Sequence, residues 1–198
     1  MKTKTLLGVM AAAFIAIQAS TARAAIKLDD VNIGINPGLG QLVVIWGGEE
    51  VALPPLAGPL FGFGLDEPGL ITIEEGFGGL VPPESGANIV LEVIAFDAAL
   101  KGWTPGFGST FENPGDTWDL GGVPAHEHPF WHVDSTDGGF VAPPGQTEWN
   151  ATFRILDTGS TSYLSSEPVT VTFLPEPSAQ VLLAMGAMPV TRRKRRRR

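Results

Sequence analysis

Between residues 25 and 174 the chain alternates apolar and polar side chains or gathers apolar ones into short runs, and Gly or Pro closes most of these stretches. The clearest alternation spans 148–155. There Trp149, Ala151, Phe153 and Ile155 fall on one face of an extended strand, and Asn150, Thr152 and Arg154 on the other. Residues 169–173 alternate in the same way, Val-Thr-Val-Thr-Phe. Residues 89–94 are nearly continuously apolar, which suits a strand buried on both faces. The pattern predicts strands at 31–35, 41–46, 70–74, 89–96, 117–120, 130–133, 146–156 and 169–173. Residues 157–160 and 165–168 read as turns, and 54–69 and 76–86 as loops dense in Gly and Pro. Residues 96–103 carry the one helical hint, about two turns long. Several short strands with turn signals at this spacing predict an all-β fold. The expected form is an antiparallel β-sandwich, immunoglobulin-like or jelly-roll.

Composition narrows this. The 198 residues are 43% hydrophobic and 17% charged, too apolar for a disordered chain. The 25 Gly and 17 Pro follow no triplet period, which excludes collagen. Cys is absent, which removes disulfides, thiolate zinc sites, iron–sulfur clusters and a cysteine nucleophile.

The net charge of −8 conceals three blocks: +3 over residues 1–24, −18 over the middle, and +7 over the last seven residues. An acidic body of this strength repels phosphate, so it excludes nucleic acid as a partner and suits cations, basic partners or plain solubility.

The N-terminus reads as an export signal. Lys2 and Lys4 precede a 12-residue apolar run, Leu6 to Ile17, and Ala22-Arg23-Ala24 offers small residues at the two positions a signal peptidase reads. The run is about 18 Å as helix, short of a hydrocarbon core of about 30 Å. Cleavage is expected after Ala24.

The C-terminus holds Pro175-Glu176-Pro177, then a 13-residue apolar segment, then Arg192, Arg193, Lys194, Arg195, Arg196, Arg197 and Arg198. Proline fixes φ and disfavours helix in the preceding residue, so the tripeptide separates the folded body (25–174) from the apolar and basic C-terminal segment. A basic cluster behind an apolar segment resists translocation and stays cytoplasmic.

This order resembles the PEP-CTERM sorting signal of bacterial exported proteins, over about 24 residues at the C-terminal end of the sequence. The resemblance implies transient anchoring in the inner membrane and recognition of Pro175, Glu176 and Pro177 by an exosortase-like processing enzyme. It also makes the Arg192–Arg198 cluster the cytoplasmic stop, and it implies a final place at the cell surface or in the extracellular matrix. The apolar segment is about 20 Å as helix, shorter than the roughly 20 residues of a full span.

Candidate chemistry is confined to one stretch. All three histidines lie in His126-Glu127-His128-Pro129-Phe130-Trp131-His132. On a strand His126 and His128 face one side and can share a divalent metal. His132 returns to that side if the strand continues through Pro129, and Asp134 then adds a carboxylate beside His132. The segment 134–139 has the Asp and Gly content of a calcium loop without its spacing, and reads as a turn. Adjacent acids such as Asp29-Asp30, Glu49-Glu50 and Glu74-Glu75 read as solvated edges, and the tryptophans as core. No serine sits in a nucleophile elbow.

The expectation is therefore a non-enzymatic, exported structural or binding protein without a cofactor. Its expected partners are signal peptidase, an exosortase-like enzyme and extracellular polysaccharide. The alternative is a secreted metal-binding protein or metalloenzyme using His126, His128 and His132.

Overall fold

The alternation at 148–155 becomes a nine-residue strand whose Trp149, Ala151, Phe153 and Ile155 are all fully buried. The computed structural model describes residues 29–176. The strands are β1 (Val31–Asn36), β2 (Gln41–Ile45), β3 (Val51–Leu53), β4 (Gly62–Leu65), β5 (Leu70–Thr72), β6 (Asn88–Phe96) and β7 (Leu100–Trp103). They continue with β8 (Thr110–Phe111), β9 (Thr117–Gly122), β10 (His126–Glu127), β11 (Phe130–Asp134), β12 (Trp149–Asp157) and β13 (Val169–Pro175). The eight predicted strands all form, and β3, β4, β7, β8 and β10 are additional. A single 3-10 turn, Pro105–Phe107, is the helical content among the described residues.

The strands make three sheets, ordered β10-β5-β1-β2, β4-β11-β7-β8 and β3-β13-β12-β6-β9. The fold is sandwich-like and nearly all β. The expectation of a purely antiparallel arrangement is corrected, because β1 pairs β5 in parallel and β13 pairs β3 in parallel. Side-chain alternation sets which face is buried and says nothing of strand direction, so both pairings fit the same pattern.

The helical reading of 96–103 is also corrected. The Leu100 N–H donates to the Asp97 carbonyl at 3.0 Å, Ala99 takes φ 69°, and the chain turns directly into β7. The apolar spacing that resembled a helix belongs to a strand end, a tight turn and a second strand. Gly102 is needed in β7 because a Cβ there would lie 2.2 Å from the Phe111 ring.

Aromatic side chains join two of the sheets. Trp131 of β11 lies 5.1 Å from Phe173 of β13 and 6.2 Å from Phe153 of β12, by ring centroids. Trp118 of β9 stacks on Phe111 of β8 at 5.4 Å. Burying each such large apolar side chain stabilises the fold by about 2–3 kcal/mol. The third sheet is tied in by hydrogen bonds: the Leu42 N–H to the Leu164 carbonyl (2.9 Å), and the Trp131 Nε1–H to the Pro68 carbonyl (3.0 Å).

Only two basic residues, Lys101 and Arg154, lie within 29–176, and both are paired. Lys101 faces Asp134, Glu112 and Asp137 at 3.3, 3.7 and 3.9 Å, and Arg154 bonds Glu92. Among the described residues no helix is long and apolar enough to cross a membrane. The expected export signal (1–24) and the segment from Pro177 to Arg198 lie outside the described residues. At the expected boundary after residue 174, β13 runs on through Pro175, and the Glu176 N–H donates to the Leu53 carbonyl at 2.9 Å.

Candidate metal centre

Sheet register brings distant residues into one row. Val31 of β1 and Glu127 of β10 both pair with Leu70 of β5. One residue further along each strand stand Asp30, Gly69 and His128, side by side across three backbones. His126, two residues from His128, shares its face of β10, as strand alternation requires.

The side chains converge. His126 Nε2 lies 2.9 Å from His128 Nε2 and 3.4 Å from Asp30 Oδ2, and the three atoms fall within 4.8 Å of one another. His128 Nδ1 lies 3.0 Å from the Asp66 carbonyl oxygen and 3.5 Å from Glu67 Oε1. A carbonyl oxygen only accepts, so Nδ1 carries the hydrogen, and the neutral ring presents its Nε2 lone pair toward His126. This tautomer follows from the hydrogen-bond partners. Asp30 is 3% exposed, and its Oδ1 accepts the Gly69 N–H at 3.0 Å. The histidine side chains remain 39% and 33% exposed, so the cluster opens to solvent on one side.

Negative charge is in surplus here. Glu67 is held above its usual carboxylate range, first by burial and further by the charges of Asp30 and Asp29. The Gly69 N–H and His128 oppose this and do not outweigh it. Gly69 keeps the centre open: a Cβ would lie 2.7 Å from His128 Cε1 and 2.8 Å from Asp30 Oδ1.

His132 is not part of this group. It sits in β11, 1% exposed, in a sheet with β4 and β7. The Trp103 Nε1–H donates to its Nδ1 at 3.3 Å, so Nε2 carries the hydrogen and donates to the Phe61 carbonyl at 3.0 Å. Of the three expected histidines the structure therefore brings His126 and His128 together, with Asp30 beside them, and places His132 apart in another sheet. Pro129 has no N–H for a ladder, β10 ends before it, and the chain passes to another sheet. Asp134 likewise stays with β11, bonded to Lys101 and Thr136. The segment 134–139 is a turn: Asp134 Oδ1 accepts the Thr136 N–H and Asp137 Oδ1 accepts the Gly139 N–H.

Asp30 was expected at a solvated edge and is instead buried in the cluster. Gly69 and Glu67 carried no signal in the sequence, because their role depends on which strands pair.

Two residues of the expected sorting motif are described. Pro175 pairs with Leu53 at the end of β13, and Glu176 is exposed just beyond it. Both border a groove of about 560 Å³ whose walls include Phe63, Phe140 and Pro143. Pro177, the basic residues Arg192 to Arg198, and the expected cleavage residues Ala22 and Ala24 lie outside the described residues. Compared with known proteins, the chain matches no family model, no curated protein and no solved structure at a significant level.

Proposed function

We propose that the protein is an exported cell-surface or extracellular-matrix protein, delivered by an N-terminal export signal and sorted through a PEP-CTERM-like tail. Its body is a non-catalytic structural or binding domain, a variant of the immunoglobulin-like or jelly-roll sandwich that includes two parallel strand pairs. The observation that carries this reading is the charge order along the chain. A short basic and apolar leader comes first, then a body containing 20 of the 21 acids, then Pro-Glu-Pro with the last one, an apolar segment and a basic end.

In this reading signal peptidase cuts after Ala24, and the tail holds the body briefly at the inner membrane. An exosortase-like enzyme then cuts near Pro175, Glu176 and Pro177. The groove beside Pro175 and Glu176 supports this reading, since it leaves one flank of the motif approachable from solvent. Extracellular polysaccharide is the proposed matrix partner. Trp118, Trp131 and Trp149 are buried, so stacking on sugar rings falls to the exposed Phe61, Phe77 and Phe107 and the half-buried Trp46 and Trp103.

The intact mass of the mature protein from its own host tests the proposal. A chain starting at Ala25 and ending near Pro177 is expected. A mass that retains Arg198 overturns the sorting reading.

A further inference from the structure

We propose that Asp30, His126 and His128 form a binding site for a divalent transition-metal ion of the zinc class, with a fourth coordination position open to solvent. This goes beyond the sorting reading and does not rest on it. The donor set is two imidazole nitrogens and one carboxylate oxygen, which suits zinc and its neighbours and is poor for calcium or magnesium, whose sites are built from oxygens.

The spacing fits. Ligands about 2.0–2.1 Å from a tetrahedral ion stand about 3.3 Å from one another. His126 Nε2 is 2.9 Å from His128 Nε2 and 3.4 Å from Asp30 Oδ2, and all three lie within 4.8 Å, so two edges already match and the third closes by a shift of the exposed His128 ring.

The surroundings fit as well. The Asp66 carbonyl fixes His128 with its Nε2 lone pair facing the site, the outer-shell arrangement usual for a metal-bound imidazole. Asp30 is buried and anchored through its other oxygen to the Gly69 N–H, which leaves Oδ2 on the histidine side. Glu67 and Asp29 add negative charge around the centre. The cation takes the place of the hydrogen between His126 and His128, which moves to Nδ1 of His126, so both imidazoles bind as neutral ligands. His132 has both ring nitrogens engaged elsewhere and does not compete.

The ion acts as a clip. Asp30 and His126 are 96 positions apart, and the site also touches the segment leading into β5. Closing so long a loop constrains the unfolded chain in the way a disulfide does, in a protein that has no cysteine. The two exposed imidazoles leave the remaining position to water or a neutral ligand, since the acidic surroundings repel anions.

The test uses the full chain, stripped of metal with a chelator and titrated with Zn²⁺ against a chromophoric competitor. One equivalent is expected at micromolar affinity or tighter. His126→Ala and His128→Ala are each expected to weaken binding at least 100-fold. Asp30→Asn is expected to weaken it at least tenfold. Gly69→Ala removes no ligand but pushes His128 and Asp30 apart, and is also expected to weaken binding at least tenfold. His132→Gln and Asp134→Asn leave the affinity unchanged.

Circular dichroism and cooperative unfolding confirm that each variant is folded. Zinc raises the unfolding temperature of the parent and of His132→Gln, and not of His128→Ala. Well under one equivalent of zinc overturns the site. So does zinc binding that Asp30→Asn and Gly69→Ala leave intact, because it marks a surface histidine pair and not this centre.

Discussion

His128 and His132 are four residues apart and live in different chemistry. His128 stands at the rim of a sheet, one nitrogen on a carbonyl and the other facing His126 and open to solvent. His132 is enclosed, one nitrogen accepting from Trp103 and the other donating to Phe61. The carboxylates nearby differ in the same sense. Glu67, against His128, is raised by burial and by Asp30 and Asp29. Asp134, two residues past His132, is lowered: burial pushes it up, but the Thr136 hydroxyl and N–H and the Lys101 ammonium outweigh this. One region has surplus negative charge and exposed donors. The other holds Lys101 among its three carboxylates and has both imidazole nitrogens consumed. A cation is welcome in the first, whereas in the second the lysine already occupies the carboxylates.

Removing the enclosed imidazole should produce the largest effect. His132→Ala leaves a cavity between β4 and β7 and strands the Trp103 N–H and the Phe61 carbonyl. Together these should cost about 3 kcal/mol in denaturant unfolding, with zinc binding unchanged in the folded fraction. A loss below about 1 kcal/mol would mean that the β11 histidine is not structural, and the contrast between the two sites would fail.

The sequence showed the first half of this contrast more readily than the second. Alternation placed β1, β2, β6, β11, β12 and β13 within a few residues, because each carries enough β-branched or aromatic positions to define a face. The strands it missed, such as β4 and β8, are two to four residues long and lie among Gly and Pro, where no period can be read. His126 and His128 were legible as a pair because an H-x-H spacing on a strand fixes a common face. Asp30 and Gly69 were not, since their meeting depends on a parallel β1–β5 pairing that no local pattern specifies. His132 was misplaced for the opposite reason. Local alternation continues past Pro129, whereas the backbone hydrogen bonding does not.

A second, smaller effect separates the two carboxylates. The folded-state value of Asp134 lies below its unfolded value. Its contribution to stability is therefore fully present above the unfolded carboxylate range and is lost as pH falls through the folded value, from about pH 4 downward. Asp134→Asn should cost on the order of 1 kcal/mol at neutral pH, because an amide nitrogen then faces Lys101. The acid limb of its stability curve should be flatter than the parent's. Urea unfolding from pH 3 to 7 measures both. A variant that keeps the parent's acid slope would place the stabilising carboxylate elsewhere.

The smallest effect belongs to the exposed pair without metal. His126→Ala removes a hydrogen bond between two imidazoles that water reaches and a 3.4 Å contact to the buried Asp30 Oδ2, and water entering the space of the half-exposed imidazole solvates that oxygen, so no buried group is left unsatisfied. In chelator its stability should stay within about 0.5 kcal/mol of the parent. In zinc the parent should gain stability and the variant should not, so the gap between them grows with zinc concentration as mass action dictates. The same comparison on His132→Ala should give a large gap that zinc does not alter. If His126→Ala were costly in chelator, the cluster would hold the three strands by its own hydrogen bonds. The exposed and enclosed histidines would then be two versions of one structural device, not a metal centre and a core residue.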